Sequence, residues 1–120
     1  MSAFNIRLEV MKTIESQVSG FIDKFLVPIE KIWQPTDFLP ASDSEDFFEE
    51  VREIREVSKD LSYDFWVVLI GDMVTEEALP TYESWLMDVE GVDQHSKSDW
   101  SKWVRHWTAE ENRHGDVLNK

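Results

Sequence analysis

Apolar residues recur every three or four positions along four stretches of this chain, and polar or proline-bearing segments separate them. In the first, Leu8, Met11, Ile14, Val18, Ile22 and Phe25 or Leu26 predict a helix from about Ile6 to Ile29. It runs into "WQPTDFLPASDS", where Pro35 and Pro40 forbid regular helix. The second stretch, about Glu45 to Asp60, is charged, and Phe47, Phe48, Val51, Ile54 and Val57 predict its buried stripe. The third, about Ser62 to Glu90, is expected to be the longest, with Asp64 near its start and Gly91 just past its end. The fourth, about Ser98 to Asn119, has Ser98 as its N-cap. The β-branched run "WVVLI" is the one strand-like cluster, but it sits inside a longer helical pattern. The expected class is all-α, with short connections that make neighbouring helices antiparallel.

Size and composition narrow this further. A chain of 120 residues with 42% apolar positions suits one helical domain with a modest core. The longest apolar run, Phe65 to Ile70, is far shorter than the ~18 residues a bilayer span needs, so no membrane partner is expected. Cysteine is absent, which excludes disulfides and thiolate metal ligands. A net charge of −13 argues against nucleic-acid binding, which needs basic clusters. The charge is uneven: from Asp60 to Ser96 there are nine acids and no Lys or Arg. Such a stretch is usually a solvated face. One that also carries a strong apolar pattern is a better candidate for holding a cation.

The candidate chemistry lies in the fourth helix. Trp100, Trp103, Val104, Trp107, Glu111, His114 and Leu118 share one sector of roughly 100° on a helical projection. An acid and an imidazole thus lie on a Trp-rich face, where an unpaired carboxylate is costly. Glu-x-x-His is a common spacing in so acidic a chain, and two readings fit it: a pair that satisfies itself in the core, or two ligands of a metal. The third helix offers a partner. Glu76 and Glu77 stand in an otherwise apolar run, and Pro80 cannot donate a hydrogen bond to the carbonyl of Glu76. Periodicity does not choose between Glu76 and Glu77, and both also suit a solvent-facing role. One Glu plus one Glu-x-x-His, hard oxygens with imidazole, suits iron or manganese. Ferritin-like di-iron bundles use twice this set.

Three segments, "EKIWQPTDFLP", "VREIREVSKDLSYDFWVVLIGDMVTEEALPTY" and "WTAEENRHGDVLNK", closely resemble the soluble plant acyl-[acyl carrier protein] desaturases, the stearoyl 9-desaturase family. The resemblance runs from about Leu8 to Lys120 and weakens between Gly91 and Ser98. It implies a ferritin-like helical fold, here only its front helices, holding an iron (di-iron) cofactor. It implies an oxidoreductase that uses O2 and reduced ferredoxin to place a cis double bond, at the 9 position by family type, in an acyl chain on acyl carrier protein. The family's enzymes are homodimers of the plastid (chloroplast) stroma. Matched motif to motif, Glu76 is a terminal ligand, Glu111 bridges the irons and His114 binds one of them, while Glu77 matches a non-ligand. Met73, Leu69 and Trp107 are candidates to lie beside the acyl cavity, with core packing the expected role of any one of them.

Residues 1–120 are accordingly expected to form a single helical domain, the N-terminal part of a desaturase domain, without transit peptide and without the second ligand-bearing helix pair. Arg52, Arg55 and Lys59 share one face of the second helix and form a candidate docking stripe for the acidic carrier protein. The competing expectation is internal pairing, Arg52 with Glu49 or Glu56 and Lys59 with Glu56. Two alternatives to a desaturase stand beside it: a non-catalytic helical remnant, and an iron-binding homodimer that completes the ligand set from two copies.

Overall fold

A computed structural model describes residues 2–93, 95 and 97–120. Five α-helices form: α1 (Ala3–Phe25), α2 (Phe47–Ser58), α3 (Tyr63–Ala78), α4 (Glu83–Met87) and α5 (Asp99–Asn119). Short 3-10 turns lie at Ile29–Lys31, Pro35–Asp37 and Leu79–Tyr82, and no strand occurs among the described residues. The all-α class holds, and "WVVLI" is helical.

Local chemistry sets the boundaries. α1 begins at Ala3, earlier than expected, because the Ser2 side chain accepts a hydrogen bond from the Asn5 N–H at 3.3 Å. It ends at Phe25 rather than Ile29, because Pro28 disfavours helical geometry at the residue before it. Ser62 caps α3 and Ser98 caps α5, the latter accepting from the Ser101 N–H at 3.1 Å.

The expected third helix is not continuous. It divides into α3, the 3-10 turn Leu79–Tyr82 and the short α4, so that α1 and α5 are both longer than any of its parts. Pro80 is the cause: it has no N–H to give the Glu76 carbonyl, and its ring crowds that carbonyl. α4 then stops at Met87 and the chain turns at Gly91, whose φ of +96° is open only to glycine at low cost.

A second expectation also fails. Phe48 and Val57 are 83% and 77% exposed and Ile54 is exposed too, so the α2 stripe is not buried. An amphipathic pattern identifies the face that needs a partner, but among the described residues no other element packs on α2.

α5 is the hub. α1, α3, α4 and the turns at Pro35–Asp37 and Leu79–Tyr82 all pack against it. Its first half makes the core, where Val104 meets Met87 and Val92, with Met11, Leu86 and Trp100 around them. Trp100 Nε1 donates to the Met11 carbonyl at 3.3 Å, the Asp99 N–H donates to Glu15 at 3.2 Å, and Arg7 pairs with Glu90 at 3.2 Å. These contacts dock α1 and the end of α4. The second half of α5 lies along α3 and carries the polar cluster. The described part spans 64 × 32 × 22 Å with a radius of gyration of 19.7 Å. A compact domain of this length would have about 13–14 Å. The apolar residues around α3, including Phe65, Val67, Val68, Ile70 and Val74, are correspondingly exposed. No helix among the described residues is long and apolar enough to cross a membrane.

Candidate metal centre

Helix α3 ends beside the middle of α5, and the break at Pro80 places its last turn there. Gly115 lets the two backbones meet: a Cβ at this position would lie 3.3 Å from the Cα and N of Glu77 and 3.4 Å from the carbonyl carbon of Glu76. A Cβ there would press on that backbone, which would have to give by a few tenths of an ångström. One turn earlier on the same face of α5 is Glu111, and His114 is adjacent.

Glu76, Glu111 and His114 come together. One potential ligand atom from each lies within 4.8 Å of the others. His114 Nδ1 is 3.1 Å from a Glu111 carboxylate oxygen and 3.5 Å from Glu76 Oε2. All three side chains are partly buried. Glu76 Oε2 is itself buried and has no hydrogen-bond partner of good geometry. Glu77, which periodicity left level with Glu76, turns the other way: its carboxylate accepts from Asn119 Nδ2 at 2.8 Å, fastening α3 to the end of α5.

Glu76's proton affinity records the crowding. Burial raises its pKa above the ordinary carboxylate range, the adjoining Glu111 carboxyl raises it further, and His114 opposes both. Two acids that share one site resist carrying both charges. A divalent cation would remove that conflict and occupy the orphaned oxygen. Two hard carboxylates and one neutral imidazole supply two negative charges and a donor set that suits iron or manganese. The residues present therefore fit a metal.

The loop "IWQPTDFLP" supplies a feature that reading the helices missed. Trp33 stacks on the His114 ring, with centroids 5.6 Å apart and planes 15° from parallel. Arg113 caps the same indole at 5.4 Å and Phe38 meets its edge at 5.5 Å. The 3-10 turn at Pro35–Asp37 holds the tryptophan in place: the Gln34 N–H donates to Asp37 Oδ2 at 2.7 Å, Pro35 is buried, and the turn packs on α5. The sequence signal is the Pro-bearing motif itself, which marks a helix stop and one of the segments resembling the desaturases but gives no hint that Trp33 meets His114.

Arg52, Arg55 and Lys59 stay outside this cluster. Arg52 pairs with Glu49, and Lys59 with Glu56 at 2.6 Å, as the internal-pairing expectation had it. Arg55 and Lys59 line an open cleft with Ser58, Leu61, Tyr63 and Trp66. Trp107 and Met73 are partly buried, each about one turn before a member of the Glu–Glu–His cluster, while Leu69 lies at the exposed edge of α3.

Comparison with known proteins gives the family. The fatty acid desaturase family model matches residues 6–120. Over 117 residues the chain is 51% identical to the chloroplastic stearoyl-[acyl-carrier-protein] 9-desaturase 5 of Arabidopsis thaliana, covering 95% of this chain and 30% of that protein. It is 50% identical over the same length to the chloroplastic stearoyl-[acyl-carrier-protein] 9-desaturase of Ricinus communis, and 50% to the chloroplastic acyl-[acyl-carrier-protein] desaturase of Cucumis sativus. The chain thus spans about 30% of the length of these relatives. With a match that extends from the start of α1 through the Glu–Glu–His cluster to the last residue, the chain belongs to the fatty acid desaturase family.

Proposed function

We propose that this chain is the N-terminal, ligand-bearing part of an acyl-[acyl carrier protein] desaturase, and that Glu76, Glu111 and His114 hold iron. The observation that carries the reading is the convergence of these three side chains around a buried, unpartnered Glu76 oxygen, in a chain half identical to such desaturases. Residues outside this stretch complete the di-iron set with a further Glu and a further Glu-x-x-His. When bound, the di-iron centre would supply the oxidising power, drawn from O2 with two electrons from ferredoxin and two protons, that takes two hydrogens from adjacent methylenes and leaves a cis double bond and two waters. The relatives' names set the expected compartment, the plastid, and the expected substrate, a stearoyl chain on acyl carrier protein.

The chain's own residues do three things in this reading. Glu76 and Glu111 hold negative charge at the site, and His114 adds a neutral donor whose ring is fixed by Trp33 on one face. The break at Pro80 keeps the end of α3 in register with α5. Met73 and Trp107 make the neighbouring surface apolar, which suits an acyl chain and excludes water. Arg55, which has no ion-pair partner among the described residues, is the most available cation of the proposed carrier-protein stripe, with Arg52 and Lys59 beside it. Reversing all three charges in a full-length enzyme is expected to raise the apparent KM for acyl carrier protein substrates. An unchanged KM removes the stripe.

The exposed apolar residues of α3 favour a second reading, association of two copies, each giving one Glu and one Glu-x-x-His. One experiment addresses both: anaerobic Fe(II) titration of the 120-residue chain with its solution mass measured in the same buffer. Iron bound by a monomer and lost on Glu111→Ala supports the half-site. Two irons per dimer supports self-completion. A folded chain that takes up no iron argues against both.

A further inference from the structure

We propose that Gly115 is a positioning residue for the metal centre: its missing side chain sets the distance between the Glu76 carboxylate and the Glu111–His114 pair. The inference rests on the metal reading above. Gly115 is buried on the face of α5 that carries Glu111 one turn away. The atoms that a Cβ would meet are backbone atoms of Glu76 and Glu77, at 3.3–3.4 Å. Backbone cannot rotate out of the way as a side-chain tip can. An alanine would therefore displace the last turn of α3 by a few tenths of an ångström. That turn bears Glu76. It cannot simply swing clear, since the Glu77 carboxylate is tethered to α5 by Asn119 and Pro80 ends the helix two residues beyond Ala78. The displacement is forced on Glu76 while Glu111 and His114, on α5 itself, stay where they are.

Metal sites are sensitive on this scale, because ligand distances must be met to within about 0.2 Å. Residues that orient ligands without touching the metal typically change affinity about 10- to 100-fold when altered. The other two helical glycines behave differently. A Cβ at Gly20 or Gly71 meets nothing within 4 Å, so Gly71→Ala, on the same helix as Glu76, is the matched control.

The test is anaerobic Co(II) titration of the 120-residue chain, followed by visible absorption, with helix content and Tm read by circular dichroism. The parent and Gly71→Ala are expected to bind alike, and Gly115→Ala to bind at least about tenfold more weakly at unchanged helix content. If Gly115→Ala unfolds at the assay temperature, the same comparison is made in a Gly20→Ala, Gly71→Ala background, which raises helix stability. A folded Gly115→Ala that binds Co(II) as the parent does, whatever its Tm, overturns the role of Gly115 and leaves the metal reading standing. A folded parent that binds no Co(II) overturns the metal reading and this inference with it.

Discussion

Replacing Gly91 with alanine probes how α4 returns to α1 and delivers the chain to α5. Two costs act together. The backbone at Gly91 has φ +96°, and an L-residue in left-handed territory costs about 1–2 kcal/mol. The new Cβ would also fall 2.6 Å from Met11 Cβ, a separation real Cβ atoms essentially never show. Overpacking of this kind costs roughly 1–3 kcal/mol. The sum, about 2–5 kcal/mol, is a large share of the ~5–15 kcal/mol that small domains possess. For a chain of this size each kcal/mol moves Tm by roughly 3–6 °C, so thermal unfolding by circular dichroism should shift down by at least about 6 °C.

A double-mutant cycle locates the steric part. Met11→Ala keeps the offending Cβ and should not rescue Gly91→Ala. Met11→Gly removes it and should recover about 1–3 kcal/mol of coupling, after allowing for its own cost in α1. The reasoning is refuted by a Gly91→Ala chain whose Tm equals or exceeds the parent's, or by a rescue with Met11→Ala as large as with Met11→Gly.

Other outcomes follow from the same contacts. Glu76→Gln should stabilise the metal-free chain at neutral pH, because it removes a carboxylate whose charge is disfavoured in the fold, and should weaken iron binding strongly; paired thermal and Fe(II) titrations check this. The sign of the pH dependence is set by Glu76's raised pKa. The folded chain holds the proton more tightly than the unfolded one, so this stability is full below the ordinary carboxylate range and is lost as pH rises through the raised value. Urea midpoints across that interval should fall for the parent and flatten for Glu76→Gln. Glu90 works oppositely: its own backbone N–H and then Arg7 lower its pKa, so its contribution is present above the ordinary range and lost as pH falls through the lowered value, a loss Glu90→Gln should abolish. Ser98→Ala removes the N-cap of α5 and should cost about 1 kcal/mol in chemical denaturation, with no change in helix content at low temperature.

Much of this molecule is written in its spacing. Helix period and the cap at Ser98 depend on interactions within a few residues, so a linear pattern carries them; the break at Pro80 is just as local, yet the apolar period continued across it to Glu90. The grouping of Glu111 with His114 is equally local, since both lie on one turn of α5. Local rules also identified the apolar face of α2, yet they carried no information on whether anything covers it, and among the described residues no other element does. The choice of Glu76 over Glu77 was not legible in the period either; only the family resemblance made it. Both are compatible with the period of α3, and what separates them is the rotation of α3 about its axis. That rotation follows from where α5 lies, and α5 lies there because Gly115 admits the α3 backbone and Asn119 holds Glu77. Trp33 reaches His114 by the same kind of long-range packing, 81 positions apart along the chain. Elements and side-chain types come from short-range chemistry, whereas the third member of the Glu–Glu–His cluster and the stacking on the histidine come from contacts between distant segments, which no period in the sequence encodes.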